Sequence, residues 1–126
     1  MSATALAIVC TGGALGALLR FWITRLAAQA LPTADFPLPT LFINLTGSAL
    51  LGVLFGATDP DLTSLIEAPL LLFFGVGFCG AYTTFSSFCT ETVTLIGRIR
   101  YLAIIYVLLT IIGSIAAFSA AFTLLH

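Results

Sequence analysis

The chain predicts an all-α membrane protein: four transmembrane helices, the third of them broken, in one integral membrane domain over residues 1–126. Three observations predict it. Hydrophobic residues make up 60% of the 126 positions and charged residues 7%, with no lysine at all, and the mean hydropathy is +1.20. A soluble domain of this size could not solvate such a surface, whereas a lipid bilayer requires it. Apolar stretches recur along the chain, each reaching the roughly 20 residues that cross a hydrocarbon core. Inside one of them lies a polar, glycine-broken patch, Gly75-Val76-Gly77-Phe78-Cys79-Gly80-Ala81-Tyr82-Thr83-Thr84-Phe85-Ser86-Ser87-Phe88. Irregular backbone at membrane depth is tolerated only where it is buried in protein or lines a cavity, so the break marks a site.

The first span is predicted over Ala3 to Ala30, the second over Leu38 to Ala57, the third over Pro69 to Ile96 and the fourth over Tyr101 to Leu125. Turn formers separate them: Pro32, Asp35, Pro37 and Pro39, then Asp59-Pro60-Asp61, then a short basic link around Arg98 and Arg100. Both termini and the middle loop fall on one side (side A), the first and third loops on the other (side B). Met1 to Val9 has no positive n-region and runs on through Gly12 and Gly16, unlike a cleaved signal peptide. A net charge of −1 with Lys and Arg totalling 4 argues against a nucleic-acid surface. Cys10, Cys79 and Cys89 lie in apolar segments without metal-ligand spacing and read as small buried hydrophobes.

Depth arithmetic sorts the polar residues. Pro69 to Ile96 as one straight helix would span roughly 42 Å against a core of about 30 Å, and Gly80 would lie roughly 17 Å deep, near the midplane. Thr40 and Asn44 on the second span, Phe85, Ser86, Ser87, Phe88 and Glu91 on the third, Tyr106 and Thr110 on the fourth, and Arg20 on the first all fall toward side B. One subunit would thus be polar across half a bilayer and dry across the other, and an antiparallel pair would supply polar residues to both halves. Gly12 and Gly16, and Gly52 and Gly56, are small residues at four-residue spacing that let helices approach closely, within one subunit or between two.

Individual residues point to chemistry, with helix packing as the competing reading for each. Asn44 offers two donors and an acceptor that hydrocarbon would leave unpaired; Thr40 sits one turn away. Phe85 and Phe88 share a helical face, and their positive ring edges suit an anion while ring faces would suit a cation. Arg20 and Glu91 are the charges nearest membrane depth, where charge is usually paired or functional. Tyr106 and Thr110 put hydroxyls on one face of the fourth span, with Ser114 a turn further. No nucleophile–base pair, phosphate loop or metal-ligand cluster is present in the sequence, so an enzyme is not expected.

Three stretches together resemble the Fluc (CrcB-type) fluoride channels: Gly12-Gly13-Ala14-Leu15-Gly16-Ala17-Leu18-Leu19-Arg20, Pro39-Thr40-Leu41-Phe42-Ile43-Asn44-Leu45-Thr46-Gly47, and Gly77-Phe78-Cys79-Gly80-Ala81-Tyr82-Thr83-Thr84-Phe85-Ser86-Ser87-Phe88. The resemblance covers essentially the whole chain, departing at Ala81, where glycine is common, and Tyr82, where phenylalanine is common. It implies a fluoride-selective channel that passively exports fluoride to relieve toxicity. It also implies an antiparallel, dual-topology homodimer in the bacterial inner membrane, with a structural sodium ion at its centre. By motif, Phe85, Phe88 and Asn44 would contact fluoride, with Ser86, Ser87, Tyr106 and Thr110 as the polar track and Arg20, Thr40 and Glu91 as the vestibule. Backbone carbonyls of Gly80 and Thr83 from both subunits would hold the sodium. Arg25, Arg98 and Arg100 all on side B would favour a single orientation by the positive-inside rule, so dual topology rests on the resemblance and the depth argument. The alternative is a small multidrug-resistance-type four-helix antiporter, which needs a membrane-embedded carboxylate in the first helix that this chain lacks.

Overall fold

A computed structural model describes residues 2–58, 61 and 68–126 of the chain. Six helical segments build it: α1 (Ala3–Ala30), α2 (Leu38–Thr58), α3 (Leu71–Cys79), α4 (Gly80–Tyr82), α5 (Phe85–Arg98) and α6 (Arg100–Leu125). The segments α3 to α5 form one interrupted crossing, so 4 apolar spans result, and the chain is a multi-pass membrane protein. The predicted turn at Asp59-Pro60-Asp61 lies largely outside the described residues.

Local chemistry sets most helix ends. Ser2 caps α1 by accepting from the Ala5 amide at 3.1 Å, and Leu31 closes it with a 2.8 Å bond to the Ala27 carbonyl. Pro39 falls in the first turn of α2, where its missing N–H leaves no bond unmade. A single extended residue, Ile99 (φ −141°, ψ 88°), turns the chain from α5 into α6.

Two helix pairs dominate the packing: α2 lies along α6, and α1 lies along α3 and α4. Glycines bring the backbones together in both. A Cβ at Gly12 would strike the Phe73 carbonyl and one at Gly16 the Phe78 carbonyl; Gly52 and Gly56 meet the Phe118 and Phe122 carbonyls of α6 in the same way. The four-residue glycine spacings therefore serve packing inside one subunit. α3 is a π-helix, with bonds five residues apart instead of four. Its carbonyls at Phe73 and Phe78 thus repeat every five residues against α1 glycines that repeat every four.

Hydroxyls on exposed helix faces bond back to their own helix. Thr11, Thr90, Thr94 and Thr123 donate to the carbonyl four residues back, which hides a donor that hydrocarbon could not satisfy. Cys79 is buried as expected, but Cys10 and Cys89 are exposed in the single chain.

The break does not fall at glycine. Gly80 is helical (φ −62°, ψ −34°), and the chain leaves the helix at Thr83 (φ −72°, ψ 159°) and Thr84 (φ −147°, ψ 121°). Glycine permits a break but does not enforce one. Thr84 enforces it as a cap, its Oγ1 accepting from the Ser87 amide at 3.2 Å.

Adding a side chain at the α1–α3 seam should be costly. Gly16→Val is expected to lower the thermal midpoint of the detergent-purified protein by the equivalent of about 3 kcal/mol or more, since the clash is with backbone. A variant as stable as the parent would mean that the two helices separate freely.

Candidate functional site

The break gathers the polar chemistry through one side chain. Asn44, 9% exposed, accepts from the Thr84 amide at 2.8 Å through Oδ1 and donates to the Thr84 carbonyl at 3.0 Å through Nδ2. In an unbroken helix the Thr84 amide would bond to the Gly80 carbonyl four residues back. Asn44 takes that amide, and the Gly80 carbonyl is released. Thr83 returns its own amide to the Cys79 carbonyl at 3.0 Å, while its carbonyl accepts from Arg20 Nη1 at 3.2 Å. Tyr82 adds a further tie. Its hydroxyl lies 2.9 Å from Thr46 Oγ1, and because the Thr46 hydrogen serves the Phe42 carbonyl at 2.7 Å, Tyr82 is the donor.

A groove of about 430 Å³ opens beside the break. Asn44, Gly47, Ser48 and Leu51 of α2 form one wall, at the spacing of one helix face; Gly75, Cys79, Gly80, Thr83 and Thr84 form the floor; Phe85 and Phe88 of α5 and Thr110, Ile111 and Ser114 of α6 complete it. The two phenyl rings meet with centroids 5.7 Å apart and planes at 36°. Phe85 is 76% exposed in the single chain, an outlying position for a residue beside buried polar groups. Phe88 instead packs on Tyr106, centroids 5.5 Å apart.

A second cluster forms around Glu91. Thr40 Oγ1 donates to Oε1 at 2.8 Å and the Tyr106 hydroxyl donates to Oε2 at 2.7 Å. Tyr106 is 0% exposed, packed with Leu95 and Ala103 and edge-on to Phe36. Glu91 also borders a smaller cleft of about 170 Å³ with Asp35 and Arg98. Those last two form an exposed ion pair of 3.3 Å, which contributes about 1 kcal/mol at most.

The sequence-predicted residues therefore divide. Asn44, Phe85, Phe88 and Thr110 line the groove together, with Gly80 and Thr83 at its floor. Tyr106 does not join Thr110 there, because its hydroxyl turns to Glu91, and the Thr110 hydroxyl closes back on the Tyr106 carbonyl at 2.7 Å. Ser87 lies within bonding distance of Thr84 Oγ1 at 3.2 Å, and Ser86 is exposed. Thr40 and Glu91 meet, whereas Arg20 reaches the break carbonyl. Sequence reasoning missed Thr84 and Ser48. Thr84 carried the signal of a helix N-cap before an uninterrupted helical run, and Ser48 that of a polar residue one turn from Asn44.

Removing the amide should loosen the break. Asn44→Ala strands the Thr84 amide and carbonyl in a buried site, about 1–3 kcal/mol for each. The thermal midpoint should fall and the Thr84 amide should exchange with solvent faster in hydrogen-exchange measurements. Asn44→Asp keeps the acceptor but sets a carboxylate against the Thr84 carbonyl, and should destabilise at least as much. Unchanged protection of Thr84 in Asn44→Ala would refute the clamp.

Residues 7–122 match the family described as CrcB-like protein, Camphor Resistance (CrcB). A protein of Rhodospirillum rubrum named fluoride-specific ion channel FluC is 47% identical over 87 residues, 69% of this chain and 67% of its own. A Halalkalibacterium halodurans protein, also named a fluoride-specific ion channel, is 40% identical over 119 residues, 93% of this chain and 94% of its own. One of Ligilactobacillus salivarius with the same channel name is 42% identical over 110 residues, 86% of this chain and 89% of its own. With a match that runs through all four spans and relatives that align over most of their length, the chain belongs to the CrcB-like family.

Proposed function

We propose that the protein is a fluoride-selective channel, not an enzyme, through which fluoride leaves the cell passively and its toxicity is relieved. The observation that carries the reading is the convergence of the Asn44 amide and the Phe85 and Phe88 rings on one groove at a helix break. Fluoride is small and strongly hydrated, so a path through the membrane must replace its water with donors. Asn44 spends one N–H on Thr84 and retains the second, and the phenyl edges add partial positive charge that repels no counterion and binds weakly enough to release. Ser86, Ser87 and Thr110 extend the polar track, with Tyr106 behind it in the Thr40–Glu91 cluster and Arg20 reaching the break from α1. The multidrug-type antiporter is not supported: α1 holds no carboxylate, and the relatives are named as channels.

The channel is read as an antiparallel, dual-topology homodimer in the bacterial inner membrane. The groove is open in the single chain, with Phe85 exposed beside it and Gly80 at its floor. A Cβ at Gly80 would meet nothing within 4 Å, so nothing in one subunit requires glycine there, while a close two-fold neighbour would. A structural sodium ion fits that place. The described residues hold no cluster of three His, Cys, Asp or Glu side chains. Hard cations prefer oxygen ligands, and the carbonyls of Gly80 and Thr83 flank the break outside regular helix bonding. They would hold the ion between two copies and join them electrostatically.

Proteoliposomes loaded with fluoride or chloride test conduction: fluoride should empty rapidly without a proton gradient and chloride should remain. Equal efflux of the two anions would reject selectivity. Phe85→Ile and Phe88→Ile keep bulk but lose the positive ring edge, and each should cut fluoride flux on the order of tenfold or more while the dimer stays folded. Topology is tested by single cysteines introduced beside Asp59 and beside Arg98, in a background without Cys10, Cys79 and Cys89. Each should be labelled from both membrane faces, and labelling from one face only would refute the antiparallel pair.

A further inference from the structure

We infer that Arg20 competes with the central cation for the Thr83 carbonyl and so sets how tightly that cation is held; the inference rests on the sodium reading above. Arg20 Nη1 donates to this carbonyl at 3.2 Å from 63 residues away in sequence, so the bond joins α1 directly to the break. Arg20 is partly buried. Among the described residues the ion pair is Arg98 with Asp35, and Glu91 is engaged by Thr40 and Tyr106. Arg20 therefore brings a positive charge to the break with a carbonyl dipole as its partner.

The carbonyl has two lone pairs, so geometry alone lets a guanidinium and a cation share it. Electrostatics opposes the sharing. Two unit positive charges on one oxygen sit within about 6 Å of each other, and in a membrane-embedded site the surroundings screen them poorly. Among the described residues the ion pair lies elsewhere, at Arg98 and Asp35, and does not offset the repulsion. Asn44 holds Thr84 from both sides, and the Thr83 amide and hydroxyl both bond to the Cys79 carbonyl at 3.0 and 2.8 Å. The Thr83 carbonyl is thus positioned without Arg20. Removing the guanidinium should free the oxygen rather than misplace it, and cation affinity should rise.

The test is the sodium dependence of thermal unfolding of the full chain in detergent micelles, with sodium exchanged for choline at constant ionic strength. A cation that binds only the folded state raises the midpoint as its concentration grows. In Arg20→Gln, which keeps a donor but no charge, half of that rise should come at about tenfold lower sodium than in the parent. Arg20→Lys keeps the charge and should stay within about threefold. Arg20→Met keeps the stem alone and must shift as Gln does, which guards against one poorly folding variant. A purely structural Arg20 would lower the midpoint equally at every sodium concentration, and that result, or a need for more sodium in Gln and Met, overturns the inference. A parent midpoint indifferent to sodium would overturn the central-cation reading itself, and the inference with it.

Discussion

Two hydrogen bonds from one amide hold the site together. Asn44 stands in for the helix that the chain abandons at Thr84, accepting from its amide and donating to its carbonyl. In hydrocarbon an unpaired backbone group costs several kcal/mol, which is why spans are helical in the first place. A break at depth persists only if a side chain replaces the missing partners, and an asparagine matches both with one planar group. The released Gly80 carbonyl, the exposed Phe85 ring and the open groove all follow from that substitution of side chain for backbone.

The rest of the fold serves to bring α2 and the α3–α5 crossing close enough for this contact. Glycines do so by removing side chains from two seams, Gly12 and Gly16 against α3, Gly52 and Gly56 against α6. In a bilayer, association draws little on the hydrophobic effect and depends on close packing and polar contacts. Backbone-to-backbone proximity then supplies the packing and the Asn44, Tyr82 and Glu91 bonds supply the polar share. Gly47 belongs to the same scheme, because a Cβ there would collide with the Thr83 side chain and crowd Tyr82.

Polar groups sit in two linked places with different degrees of constraint. Around Glu91 every acid oxygen has a donor, from Thr40 and Tyr106, in a cluster that packs Tyr106 completely. Around the break, donors and acceptors remain available: the second Asn44 hydrogen, the Gly80 carbonyl and the phenyl edges. A fully satisfied polar cluster rigidifies its surroundings, and the groove, unlike the acid, keeps donors and acceptors without a partner in the single chain.

Membrane class, four spans and an interruption in the third were legible in composition and apolar run length alone, since a bilayer accepts so few alternatives. The identities of Asn44, Phe85 and Phe88 as polar or aromatic groups at similar depth were legible too, because helical rise converts residue number into depth. Which of them meet was not. Rise says nothing of rotation between helices, and it is the α2–α6 and α1–α3 packing that sends Asn44 to Thr84, Tyr106 to Glu91 and Arg20 to Thr83. Nor could composition find the π-helical α3 or move the break from Gly80 to Thr83–Thr84. Glycine marks where a backbone is free to bend, but the bend falls where a tertiary partner captures the amide that a helix would have used.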